Sequence, residues 1–163
     1  MPEEISYSKK EVLSSFARIP YSELAKEQKE FLLQILRDNN RNYFLHGCAG
    51  SGKTVVAGHA TRLLKKEGKS VKFLVYTKLL SKYVSDGFNE AAANIQEIDH
   101  FHRWKQLNLA GQSDVCIIDE CQDFQSNWMR TVKQHSTNQI WLGDASQQIY
   151  AEAMNDSGYD DIK

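Results

Sequence analysis

Residues 47–54 read Gly-Cys-Ala-Gly-Ser-Gly-Lys-Thr, a full G-x-x-x-x-G-K-[ST] spacing. Each part has a chemical reason. Gly47, Gly50 and Gly52 let main-chain N–H groups approach an anion with no Cβ in the way. Cys48, Ala49 and Ser51 complete the loop and add their own amides. Lys53 supplies a positive charge for β- and γ-phosphates, and Thr54 offers a hydroxyl to magnesium, an ion that prefers oxygen ligands. A helix opening at this point adds orphan N–H donors and the positive end of its dipole. The pattern is that of a site for a nucleotide's phosphates with Mg2+. A glycine-rich turn with an incidental lysine is the plainer alternative, and a strand before the loop with a helix after it decides against that.

A second cluster lies at 115–120, Val-Cys-Ile-Ile-Asp-Glu, an apolar run ending in two acids. In a parallel sheet, ligands collect beyond the carboxyl ends of the strands. Asp119 is therefore expected to hold magnesium together with Thr54, and Glu120 to orient or deprotonate an attacking water. A strand that simply ends in solvated acids loses weight beside a phosphate loop, because the same fold needs both parts.

Other chemistry-bearing residues carry less. His100, His102 and Cys121 lack any zinc-type spacing, and residues two apart do not share a helix face. Cys48 reads as a small residue filling a loop position. Trp104, Trp128 and Trp141 read as core or partner-facing. Lys65, Lys66 and Lys69 fit a solvated helix C-terminus, where they complement the dipole.

These residues need elements to position them. A helix is expected over 23–36 with Ser22 as its cap, since Leu24, Phe31, Leu32, Ile35 and Leu36 fall on one stripe. Strands are expected at 42–46, 71–77, 94–98, 115–119 and 139–143. Helices are expected at 8–16, 54–66 (closed by Gly68), 78–84, 99–107 (capped by Asp99) and 126–134. Strands alternating with helices indicate an α/β protein with a mostly parallel central sheet and helices on both faces. The run Cys116-Ile117-Ile118 fits a strand buried on both sides. The expected organisation is an N-terminal extension with a short helix (1–21), an ATP-binding domain (22–154) and a polar acidic tail (155–163).

The chain has 163 residues, 20 Lys and Arg against 21 Asp and Glu, 41% hydrophobic and 25% charged residues. One domain is the prior at this length. The near-neutral balance excludes attachment to nucleic acid by bulk charge and leaves room for a local basic groove. No apolar run is long enough to span a membrane, and the acidic start is not a signal peptide. An odd number of cysteines (48, 116 and 121) with no framework spacing reads as reduced thiols in a cytoplasmic protein.

The residues after the acid pair narrow the reading. Asp119-Glu120-Cys121-Gln122-Asp123 resembles the D-E-x-Q-D signature of superfamily I helicases of the UvrD/Rep kind. Glu27-Gln28 resembles that family's adenine-reading segment, and 47–54 its phosphate loop. Val75-Tyr76-Thr77-Lys78-Leu79-Leu80 is similar to its segment contacting single-stranded DNA, and Phe101-His102 to its T-F-H element. The stretch 142–150, Leu-Gly-Asp-Ala-Ser-Gln-Gln-Ile-Tyr, resembles G-D-x-x-Q-x-I-Y. The resemblance spans about 22–150 and implies a P-loop NTPase fold of the RecA-like type. It implies that Gln28 reads adenine, that Gln147 senses the γ-phosphate, and that Gln122 and Asp123 link the ATP site to neighbouring motifs. It places Thr77, Phe101, His102 and Tyr150 on a track for single-stranded nucleic acid, DNA in the first instance, where aromatic stacking is worth about 1–3 kcal/mol per base.

Three local departures stand out: His100 where the family has threonine, Val55 where relatives carry an adenine-packing arginine, and Ala151-Glu152-Ala153-Met154 after the last motif. The family also continues into a second RecA-like domain carrying arginine fingers, expected here as a partner outside the chain. The chain is therefore expected to bind Mg-ATP and hydrolyse it slowly. Two rivals differ in class: a non-catalytic ATP-responsive module docking on a partner protein, and a P-loop phosphotransferase with Arg103 or Arg130 in a lid.

Overall fold

The computed structural model describes residues 19–76, 82, 84–85, 98–100 and 112–144. Five strands, β1 (Tyr43–His46), β2 (Val71–Val75), β3 (Ile98–His100), β4 (Ser113–Ile118) and β5 (Ser136–Gly143), form one sheet in the order β1-β5-β4-β2-β3. Every pairing is parallel. Three described helices flank it: α1 (Lys26–Arg37), α2 (Lys53–Lys66) and α3 (Ser126–Gln134). The parallel α/β arrangement expected from the alternating pattern is the one found.

The period-two geometry of the strands divides the core in two. On one face Phe73, Val75, Val115, Ile117, Ile140 and Leu142 pack against Leu32 and Ile35 of α1 and Val56, Ala60 and Leu64 of α2. On the other, Leu74, Cys116, Ile118 and Trp141 meet Trp128, Met129 and Val132 of α3. Neighbouring residues on β4 thus serve opposite cores, which is why Cys116-Ile117-Ile118 is apolar without interruption. Helix α2 stops where Gly68, at φ +77°, donates to the Lys65 carbonyl at 3.0 Å, the turn its glycine foretells.

Three expectations are corrected. Ser22 does not cap α1. It lies in a 3-10 turn (Tyr21–Glu23), and its carbonyl accepts from Lys29 Nζ at 2.8 Å. The chain then runs extended through Leu24, and α1 begins at Lys26. Gln28 reaches back there, its Oε1 accepting the Ala25 N–H at 2.9 Å, and so satisfies an orphan donor that Ala25 cannot satisfy itself. Asp99 does not cap a helix: it lies in β3, paired with Leu74 of β2. Strand β5 starts three residues before 139 because its polar residues are buried with partners. Ser136 Oγ donates to the Val132 carbonyl (2.8 Å), and Asn138 Nδ2 to that of Asn39 (3.0 Å).

The expected helix at 8–16, residues 101–107 of the one expected at 99–107, and the acidic tail lie outside the described residues, as does all of the expected helix at 78–84 except Lys82 and Val84, both helical. Among the described residues, no helix is long and apolar enough to cross a membrane.

Candidate nucleotide site

The phosphate loop joins the carboxyl end of β1 to the first turn of α2. Gly50 (φ +74°) and Gly52 (φ +81°) adopt left-handed conformations that L side chains resist. At Gly52 space is short as well, since an added Cβ would lie 2.8 Å from Gln28 Nε2. That Nε2 donates to the Ser51 carbonyl at 2.9 Å, so Gln28 ties the start of α1 to the loop. Gly47 is close-packed against Ser51, whose Oγ would sit 2.5 Å from a Cβ there. Lys53 is 7% exposed, and its ammonium donates to the carbonyls of Gly47 (2.8 Å) and Cys48 (3.1 Å). The charge is therefore held inside the curve of the loop, where the N-terminus of α2 also points.

The second half of the site comes from β4. Thr54 Oγ1 donates to Asp119 Oδ2 at 2.6 Å, across 65 positions of sequence. The other carboxylate oxygen accepts the Glu120 N–H at 3.0 Å. Asp119 is 3% exposed, and its pKa is pushed up to about 6, chiefly by burial and further by the negative charge of Glu120. The Thr54 hydroxyl, the Glu120 N–H and the Lys53 charge pull the other way. At neutral pH it is thus a buried anion beside a hydroxyl. Two hard oxygens converge at the mouth of the sheet, and this donor set fits magnesium.

Immediately after Asp119 the chain turns sharply. Glu120 has φ 54° and ψ 45°, and among the described residues no other non-glycine residue has a positive φ. Such a conformation costs about 1–3 kcal/mol and persists where the surroundings over-determine it. It swings the backbone out of the strand into the 3-10 turn Cys121–Asp123 and leaves the Glu120 side chain half-buried at the strand's carboxyl end.

Over residues 23–153 the chain matches the family model described as an AAA domain. The chain belongs to the AAA domain family. No curated protein sequence matches it. The parallel sheet, the loop and the strand-end acids make this AAA domain a P-loop NTPase, and nucleotide binding is the activity its family carries.

The AAA domain brings together Gln28, the loop residues 47–54, Asp119 and Glu120, all named from sequence. Thr77, Phe101, His102, Gln147 and Tyr150 lie outside the described residues. Trp128 and Trp141 are core residues, 9% and 1% exposed. Trp104 and Arg103 also lie outside the described residues, while Arg130 is exposed on α3.

Two features of the site escaped sequence reasoning. β1 and β4 are not neighbours, because β5 runs between them. The carboxyl end of β5 therefore lies between the loop and the acids: the Gly143 carbonyl accepts the Gly47 N–H at 3.3 Å, and Asp144, 2% exposed, has Oδ1 3.9 Å from His46 Nε2. Gly143 is also packed so closely that a Cβ would lie 2.7 Å from Cys121 Sγ and 2.9 Å from Gln122 Oε1. The signal available in sequence was a glycine at a strand end, a common mark of close backbone approach.

Proposed function

We propose that this AAA domain is the ATP-binding half of a superfamily I helicase of the UvrD/Rep kind, a machine that couples ATP hydrolysis to movement along single-stranded DNA. The observation that carries the reading is the 2.6 Å contact between Thr54 and Asp119. It joins the phosphate loop to the D-E-x-Q-D strand end in one oxygen-rich site. The G-D-x-x-Q-x-I-Y stretch that begins at the last residue of β5 adds the more specific support.

In this reading the amides of 47–52 and the ammonium of Lys53 bind the triphosphate, and Thr54 and Asp119 hold Mg2+. Bound there, the ion neutralises phosphate charge. Glu120 orients and deprotonates the attacking water, a contribution of about 10²–10⁴ in rate for a positioned base. Gln28 reads the adenine edge while its amide keeps hold of the loop. Gln147 senses the γ-phosphate. Thr77, Phe101, His102 and Tyr150 contact single-stranded DNA, the aromatic rings by stacking. A second RecA-like domain supplies arginine fingers, worth about 10³–10⁵ in rate, so this chain alone turns over slowly.

Calorimetric titration with Mg-ATP and a steady-state ATPase assay with and without single-stranded DNA test the proposal. Expected are saturable binding and turnover that is slow in both conditions. Fast DNA-stimulated turnover by this chain alone overturns the divided-site reading. No binding heat from folded protein overturns the nucleotide site itself. Glu120→Gln is expected to keep Mg-ATP affinity and lose hydrolysis; unchanged hydrolysis rejects Glu120 as the base.

A further inference from the structure

We infer that Gln122 is a positioning residue that holds the Glu120 carboxylate in its working orientation and ties that orientation to the carboxyl end of β5. The inference rests on the proposed role of Glu120. Gln122 is 4% exposed, and both ends of its amide are used. Its Nε2 donates to Glu120 Oε2 at 2.6 Å, and its Oε1 accepts the main-chain N–H of Asp144 at 3.1 Å.

The orientation of this amide is dictated rather than chosen. A main-chain N–H is only a donor, so the end facing Asp144 must be the oxygen. The NH2 is then forced toward Glu120, which as a carboxylate is only an acceptor. An amide buried with both ends satisfied has no cheap alternative rotamer. Gly143 completes the device. Its missing Cβ leaves room for Gln122, since a Cβ would stand 2.9 Å from Oε1 and 3.4 Å from the Gln122 nitrogen. The end of β5 thus lies directly on the amide, and a displacement there is carried through two hydrogen bonds to the carboxylate. Glu120 has a left-handed backbone and a half-buried side chain, and this bond from Gln122 specifies where its oxygen points.

Three variants separate this role from a structural one. Gln122→Glu keeps the volume and the acceptor for Asp144 N–H but puts an acceptor where Glu120 needs a donor. Gln122→Met keeps the volume and removes both bonds. Gly143→Ala pushes on the amide from β5. Each is measured by the single-turnover rate of ATP cleavage with protein in excess, by the calorimetric Kd for Mg-ATP, and by the thermal midpoint. Expected is a fall of about 10- to 100-fold in the cleavage rate for Gln122→Glu and Gln122→Met, a part of what a positioned base contributes. Their Kd should stay within about threefold, less than 1 kcal/mol. The double variant Gln122→Met/Gly143→Ala should lose less than the product of the single losses.

Losses of rate and affinity in proportion, or a cleavage rate that follows the thermal midpoint across the series, would mark a merely structural residue and overturn the proposal. So would an unchanged rate in Gln122→Glu, or no measurable cleavage by the parent chain. A loss in Glu120→Gln with none in the Gln122 variants sinks this inference alone. Unchanged cleavage in Glu120→Gln, or absent Mg-ATP binding, sinks the reading beneath it.

Discussion

Lys53 shows how a single residue type gains meaning from its surroundings. Its ammonium donates to two loop carbonyls and is nearly buried, so its charge is already desolvated at the place where phosphate oxygens would sit. Lys53→Ala is expected to weaken Mg-ATP binding by about 1.5–3 kcal/mol, roughly 10- to 100-fold, the worth of hydrogen bonds to a charged group. The thermal midpoint without nucleotide should fall modestly, because the Gly47 and Cys48 carbonyls lose their donor. Calorimetry and a melting curve on one preparation check both parts.

The cysteines give a second test at this scale. Cys116 is buried and its thiol is pushed up to about 12, chiefly by loss of solvent. Cys121 is pushed up further by burial and by the carboxylates of Asp119 and Glu120. Cys48 is exposed in the loop. Thiolate is the reactive form, so a disulfide reagent should modify one thiol rapidly in native protein and all three in denaturant. Saturating Mg-ATP should slow the native reaction. Rapid modification of more than one thiol before unfolding would contradict the burial of β4 and of the turn after it.

At the scale of elements, glycines mark where backbone direction and site geometry meet. Gly50, Gly52 and Gly68 all have φ near +75° to +80°, but an added Cβ meets open space at Gly50 and Gly68 and Gln28 at Gly52. Substitution by alanine at Gly68 is expected to cost about 1–2 kcal/mol of stability with unchanged Mg-ATP affinity, because that turn only ends α2. Gly50→Ala carries the same strain within the loop. Gly52→Ala adds the clash with Gln28 to the strain, so it should lose the most affinity of the three. Denaturant unfolding and calorimetry on the three variants check this order; equal affinities for Gly52→Ala and Gly68→Ala would remove Gln28 from the loop's support.

Elements with a strong apolar signal were legible in advance. The helix at 126–134 stands where its pattern put it, and the strand at 115–119 is shifted by only a residue or two. Those that departed did so through side chains bonding over distance. Ser136 and Asn138 look like loop residues, yet partners on α3 and before β1 let them enter a strand. The start of α1 moved because Gln28 caps it from within, and Ser22 was taken by Lys29. Local propensity contains none of these partners.

For the whole molecule, the site opposes stability, and pH exposes this. The pKa of Asp119 rises from 3.8 to about 6 on folding. Between those values the folded chain binds more protons than the unfolded one, so this group makes stability fall as pH rises from about 4 to about 6, by about 3 kcal/mol in all. Asp114 and His59 act in the opposite sense. The Ser70 hydrogen bonds lower the pKa of Asp114, so its contribution is lost as pH falls through that lowered value. Burial lowers that of His59, so stability declines as pH falls below 6.5. The Asp119→Asn variant isolates the first effect. In metal-free buffer it should be more stable than the parent at pH 7 and no more stable near pH 3.5, while losing its Mg-dependent affinity for ATP. Denaturant melts across pH check the sign, and an equal pH slope in the two proteins would refute it.

The phosphate loop, the acid pair, the alternation that makes a parallel sheet, and most of the residues that bury it can be read from residue order. Those properties are written in short windows: a spacing, a period, or a glycine where only glycine fits. Tertiary structure alone decided that β5 runs between the loop strand and the acid strand. It also decided that Thr54 and Asp119, both expected at the metal, bond each other directly, and that one buried amide joins Glu120 to the end of β5. Strand order and long-range hydrogen bonds depend on which surfaces the chain can close over together, a property of the packed whole to which no local window has access.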